Sequence, residues 1–223
     1  MYFYIISNMG YRMSIMSITK WPNNAAMMVD VMKLGFIYGN VLDATFGLGK
    51  FWSRGEPENL ITNDKYVGAD YSYDFTNFPE DWENKFDCVV FDPPYKLNGS
   101  SVIKQDIRYG VHREASVKER LSLIIDGALE CLRVVKLSGY LAVKVQNQVA
   151  SGRTHFQTDI VTQVLGGCSY SNAEKARKIA EFHLLRAPRP QPHSRQLNPY
   201  NNYSTLLIFK KKGKMKLKEW GLL

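Results

Sequence analysis

Three apolar stretches in this chain each lead to an aspartate: Val41-Leu42-Asp43, Asn59-Leu60-Ile61-Thr62-Asn63-Asp64, and Cys88-Val89-Val90-Phe91-Asp92. Runs of this length suit short buried strands. Helical patterns surround them. Pro22 to Leu34 reads as a helix stopped by Gly35, and Ser116-Val-Lys-Glu119 is a capping box. That box opens a helix with Val117, Leu121, Ile124, Ala128, Leu132 and Val135 along one face. Gly139 ends the connection to a strand over Tyr140 to Val145, and Gln157 to Leu165 reads as a further helix closed by Gly166-Gly167. Residues 179–186 and 203–210 read as two late strands. Strand-helix alternation of this kind predicts an α/β protein with a mostly parallel sheet, closed here by a C-terminal antiparallel hairpin. Ligands of such sheets gather at the carboxyl ends of the strands, where Asp43, Asp64 and Asp92 all fall.

The third run continues as Asp92-Pro93-Pro94-Tyr95. The same letters make a strand stopping at a Pro-Pro turn, but they also carry chemistry. The exocyclic amine of adenine or cytosine is a poor nucleophile, because its lone pair is delocalised into the ring. A site that accepts hydrogen bonds from that amine frees the lone pair. Asp92 supplies a side-chain acceptor, and the prolines offer carbonyls without competing N–H donors. Pro93 biases Asp92 toward an extended conformation at the strand tip. Tyr95 offers a ring on which an extruded base can stack.

The first run enters a glycine turn, Asp43-Ala44-Thr45-Phe46-Gly47-Leu48-Gly49-Lys50. A phosphate-cradling P-loop would need glycine where Ala44 stands and Ser or Thr where Phe51 follows Lys50. A nicotinamide fingerprint would need a small residue where Trp52 stands. The turn therefore suits a cofactor without a pyrophosphate, or simply a tight strand-to-helix connection. Asp64 lies 21 positions after Asp43, the spacing at which a strand-tip acid holds ribose hydroxyls; Asp70 competes at 27. Asp74 and Phe75 offer a carboxylate and a ring to an adenine. Asn24, Ala25 and Met28 are placed to flank such a cofactor.

Taken together, these motifs resemble the small S-adenosylmethionine-dependent amino-methyltransferases of phages and prophages that modify DNA. Asp43 to Gly49 resembles the family's cofactor motif and Asp92 to Tyr95 its catalytic motif. The likeness extends to Lys96-Leu97-Asn98-Gly99, Arg108-Tyr109-Gly110, Arg186 to Pro192 and Tyr203 to Leu207, and so covers most of residues 20–210. The Asp-Pro-Pro-Tyr form, following the cofactor motif, is typical of N6-adenine enzymes. The resemblance implies a Rossmann-like class I methyltransferase fold and transfer of a methyl group from S-adenosylmethionine to N6 of a flipped adenine in DNA. N4-cytosine, RNA, or a non-catalytic nucleic-acid-binding relative are the alternatives. It implies Asp92, Pro93, Pro94 and Tyr95 as catalytic residues. Asp43, Ala44, Thr45, Phe46, Gly47, Gly49, Asp64, Asp74 and Phe75 would hold the cofactor. No separate target-recognition domain is visible.

At 223 residues the chain suits one domain. The expected organisation is a lead-in over 1–19, a catalytic domain over 20–210 and a basic tail over 211–223. A formal charge of +8 suits a polyanionic partner. Two stretches, 96–115 and 187–202, read as long loops able to embrace it. Lys96, Asn98, Arg108, Tyr109, Arg113, Arg189 and Arg195 are the expected contacts, with the lysine-rich tail as a non-specific one. Cys88, Cys131 and Cys168 form no CxxC pair, and the four histidines show no ligand spacing, so no metal is expected. No run approaches 18 apolar residues, and the Met-rich start lacks a basic region and cleavage site; a cytoplasmic protein of a prokaryotic or phage-infected cell is expected, without membrane or export.

Overall fold

A computed structural model describes residues 21–97, 115–166, 175–186 and 201–212. The chain opens with α1 (Asn24–Lys33), capped by the Asn23 side chain, which accepts from the Ala26 amide. Strands β1 (Asn40–Asp43), β2 (Asn59–Thr62) and β3 (Phe86–Phe91) follow, with a short 3-10 turn at Glu80–Trp82. Then come α2 (Val117–Val134), β4 (Val135–Val145), a small hairpin of β5 (Gln148–Ala150) and β6 (Arg153–His155), α3 (Gln157–Gly166), β7 (Ala176–Leu185) and β8 (Tyr203–Lys211).

Six strands form one sheet in the order β2-β1-β3-β4-β8-β7. The first four are mutually parallel, and β8 runs antiparallel to both β4 and β7. This is a Rossmann-like α/β sheet closed by a C-terminal antiparallel pair, the topology of the class I methyltransferase fold.

Side chains alternate across the strands and build two cores, one on each face. Leu42, Val89, Phe91, Leu141, Val143 and Leu207 pack with Ile124, Ala128 and Cys131 of α2 and with Val161 and Leu165 of α3. Val41, Val90, Ala142, Leu206 and Ile208 pack with Met27, Met28 and Val31 of α1 and with Trp21 and Trp52. Cys88 and Cys131 are core thiols, as expected, and burial pushes Cys88 up to about 12. Cys168 lies outside the described residues.

The structure corrects several boundaries. The capping box at Ser116 forms in full, but the buried stripe of α2 runs through Arg120, Ile124, Gly127, Ala128 and Cys131. Val117 and Leu121 are only half-buried. Strand β4 begins at Val135 rather than Tyr140, and residues 135–139 pair irregularly with β3. Gly139 is therefore no break: a Cβ there would lie 2.6 Å from the Asp87 carbonyl oxygen, so glycine lets the strands approach. The β5–β6 hairpin was not expected. Lys211, expected in the tail, is the last residue of β8. Its Nζ donates to the carbonyls of Arg133 and Val135 and to Asn84 Oδ1, each at 2.8–2.9 Å.

Candidate active site

Alternation explains how the site is assembled. Val41, Val90 and Ala142 lie on the α1 face of the sheet. Two residues further along each strand stand Asp43, Asp92 and Lys144. Register places Asp43 beside Val90 and Phe91 beside Val143, so these three charged side chains meet at one corner of the sheet edge. They line a cavity of about 300 Å³ together with Asn24, Thr45, Phe46, Gly47, Tyr95 and Arg186.

Asp43 is only 2 % exposed. Its carboxylate accepts from Trp52 Nε1 at 2.7 Å and from the Thr45 amide at 3.1 Å. Burial nevertheless pushes its pKa up to about 7; these hydrogen bonds oppose the rise, and the charges of Asp92 and Asp64 add to it.

Thr45 joins the two motifs. Its hydroxyl accepts from the Asp92 amide at 2.8 Å, tying the glycine turn to the tip of β3. Asp92 in turn accepts from Lys144 Nζ at 3.1 and 3.2 Å, one bond to each oxygen. Lys144 Nζ also lies 5.2 Å from the centre of the Tyr95 ring and 5.4 Å from that of Phe51. Arg186, from the end of β7, packs its guanidinium on the Tyr95 ring and donates to the Tyr95 hydroxyl. The main chain of the quartet is braced as well: Gln157 Nε2 donates to the Tyr95 carbonyl at 2.7 Å, and buried Arg120 donates to that of Lys96 at 3.0 Å.

A second recess, about 30 Å³, is lined by Ala44, Thr45, Asp64, Lys65, Tyr66, Phe75, Asp92 and Pro94. Thr45, Asp92 and Pro94 border both spaces and form the wall between them. Asp64 does more than await a ligand. Its carboxylate accepts from the amides of Gly47, Tyr66 and Val67 at 2.8–3.0 Å. A carboxylate has about four lone-pair sites, so one remains, on the oxygen that holds Gly47.

The other expected residues divide. Ala44, Thr45, Phe46, Gly47 and Phe75 line one space or the other. Gly49 lines neither; it adopts φ +65°, and a Cβ there would lie 2.8 Å from the Phe46 ring, so it serves the turn rather than a ligand. Asp74 is not on either lining, because its carboxylate is taken by Lys65 and Thr76. Asp70 binds back to Thr62 at the strand end. Of the α1 residues, only Asn24 reaches the cavity, whereas Ala25 and Met28 are in the core. Lys96 borders the cavity. Asn98, Arg108, Tyr109, Arg113, Arg189 and Arg195 lie outside the described residues.

Sequence reasoning missed Lys144 as a site residue. A lysine inside the apolar strand Tyr140 to Val145 demands a buried counter-charge, and that signal was present. It also gave Arg186 no role, and nothing local in the sequence brings Arg186 to Tyr95. Among the described residues no cluster of three or more His, Cys, Asp or Glu could hold a metal ion, and no helix is long and apolar enough to cross a membrane.

No family model and no curated protein matches the chain. Solved structures do. A candidate DNA modification methylase from Thermus thermophilus aligns at 16 % identity and TM-score 0.38, over 64 % of this chain and 50 % of that one. The N-methyltransferase NodS from Bradyrhizobium japonicum, in complex with S-adenosyl-L-homocysteine, aligns at 10 % identity and TM-score 0.48, over 85 % and 86 %. The cytosine-N4-specific PvuII DNA methyltransferase aligns at 14 % and 0.40, over 62 % and 45 %. The chain thus spans about half the length of the two DNA-modifying proteins, and likeness at this level says nothing further about the site.

Proposed function

We propose that the chain transfers a methyl group from S-adenosylmethionine to the exocyclic N6 amine of adenine in DNA. The observation that carries this reading is the wall shared by the two spaces. Asp92, the acceptor suited to an exocyclic amine, stands between a cavity entered by the glycine turn and a recess lined by a ribose-type acid and an aromatic ring.

The residues present fit the cofactor in kind. Asn24 Oδ1 is buried at the cavity with no hydrogen-bond partner, Asp64 retains one lone pair for a ribose hydroxyl, and Phe75 offers a ring. A nucleoside in the recess requires Lys65 and Tyr66 to move outward, and both are surface residues. When bound, the cofactor supplies a methyl group on a positively charged sulfur.

The chain's own part is orientation. Asp92 accepts hydrogen bonds from the target amine and makes its lone pair available. Tyr95 supports the extruded base. The cofactor would supply the methyl carbon to the amine nitrogen and keep the electron pair of its carbon–sulfur bond, and the surplus N–H proton of the amine would leave to water. Asp92 need not remove that proton, because the methylated amine is strongly acidic while it carries positive charge. Positioning and preorganised charge do most of this work. The +8 balance favours a polyanionic substrate.

The test is incubation of the chain with isotopically labelled cofactor and DNA, followed by digestion to nucleosides. Label is expected in N6-methyladenine from the native chain. Asp92→Ala is expected to lower transfer by about 100- to 1000-fold, a loss of the size seen when a preorganised transition-state contact is removed, while cofactor binding survives. Label in N4-methylcytosine or in a ribonucleoside would move the substrate accordingly, and full activity of Asp92→Ala would refute the reading.

A further inference from the structure

Lys144 is the one charged residue in the buried half of β4, and its side chain is 2 % exposed. A buried lysine is destabilising unless its charge is met. Here the Asp92 carboxylate meets it through both oxygens, while the rings of Phe51 and Tyr95 lie within 5.4 Å of Nζ. Asp92 itself is fixed from two directions. Thr45 holds its backbone amide, and Lys144 holds its side chain.

We propose that Lys144 is a positioning residue for methyl transfer: it fixes the plane of the Asp92 carboxylate so that the remaining oxygen lone pairs face the target amine. Each Asp92 oxygen spends one site on the Lys144 ammonium and keeps another. Without the lysine, both torsions of the aspartate are free to turn, and the acceptor leaves the line of approach. Misplacement by about 1 Å costs on the order of 100-fold in rate.

Electrostatics keep the lysine in its working state. Burial is the largest single influence and disfavours the ammonium, but the charge of Asp92, that of Tyr95 and the Asp92 hydrogen bond together outweigh burial and the opposing Arg186 guanidinium, and hold the Lys144 pKa above its ordinary value. Lys144 borders the cavity without opening broadly into it, so its role runs through Asp92 rather than through the substrate.

The inference rests on the methyl-transfer reading, and the test separates the two. In the labelled-cofactor assay, Lys144→Met is expected to lower kcat about 100-fold with the cofactor KM within about twofold of native. Combined with Asp92→Asn, it is expected to add less than about a further threefold loss, because the two residues act as one unit. A purely structural lysine would instead depress both backgrounds equally. Because a variant that unfolds also loses activity, the second measurement is chemical rescue. Ethylammonium ions at tens of millimolar are expected to raise kcat of Lys144→Ala roughly tenfold or more and to do nothing for Asp92→Asn, since they restore only the missing cation beside Asp92. Native-like kcat in Lys144→Met, or no rescue of Lys144→Ala, overturns the role of Lys144 alone. A native chain that transfers no label to any nucleic acid overturns the methyl-transfer reading and this one with it.

Discussion

Replacing Asp43 by asparagine should flatten the dependence of stability on pH. The Asp43 carboxyl titrates near 7 in the folded chain and at an ordinary 3.8 otherwise. Below pH 3.8 both states hold the proton and the folded chain suffers nothing. Between 3.8 and 7 the unfolded chain releases it and the folded chain does not, so stability falls as pH rises. Above 7 both states are ionised and the loss is complete. At about 1.4 kcal/mol per pH unit, the whole gap corresponds to roughly 4 kcal/mol, of which about 3 kcal/mol is lost between about pH 5 and pH 8. The amide cannot ionise. It also has a single oxygen for two donors, Thr45 N and Trp52 Nε1, which costs about 1–3 kcal/mol at every pH. The variant should therefore lie within about 1 kcal/mol of native near pH 5, where the native chain has lost only part of the gap, and be the more stable by about 1–3 kcal/mol at pH 8. Urea unfolding of both chains at intervals across that range reads this directly, since every other titrating group is common to the two. Trp52, whose ring nitrogen donates to Asp43, gives a local fluorescence signal for the same event. Parallel stability curves across this range would refute the reasoning, because they would mean that Asp43 is ionised throughout.

Two further outcomes follow from close contacts. Thr45→Val removes the acceptor of the Asp92 amide at constant shape and is expected to cost about 1–3 kcal/mol in urea unfolding, whereas Thr45→Ser keeps the hydroxyl and should lose less than about half of that. At Gly127 a Cβ would lie 2.5 Å from Phe91 and 2.7 Å from Phe75. Phe91 is fully buried, so Phe75 must yield into the recess; Gly127→Ala should destabilise by about 1–3 kcal/mol through overpacking, less about 1 kcal/mol regained from helix propensity, and weaken cofactor binding measured by calorimetric titration. A more stable variant with native affinity would show that the rings have room.

Much of the site was legible because it depends on strand period. Asp43 and Asp92 follow apolar runs, and once those runs are strands of one parallel sheet the acids share an edge. The capping box at Ser116 was legible for the same local reason. What escaped depends on long-range contact. Arg120 is buried in α2 because it holds the carbonyls of Ala115 and Lys96, which an apolar-stripe reading of a helix excludes. Strand β4 starts early because β3 pairs with Val135, and Gly139 serves that pairing though glycine usually marks a break. Asp64 sits where a ribose acid should, but its grip on the Gly47 amide follows from how the turn folds back over β2.

Lys211 bears on how this domain is born. At the junction of α2 and β4 the carbonyls of Arg133 and Val135 accept from a donor 76 to 78 residues later in sequence, beside the Asn84 amide that also reaches Arg133. As the chain leaves the ribosome, α2 can form and β4 can find β3, with the Asn84 and Lys85 amides on the Arg133 and Val134 carbonyls, and residue 211 brings the last donor to their junction when it emerges. The strand that supplies this lysine, β8, also inserts between β4 and β7. A nascent chain halted before β8 therefore carries an unpaired edge on β4, the strand that bears Lys144, and the site reaches its final form only with the last strand of the sheet.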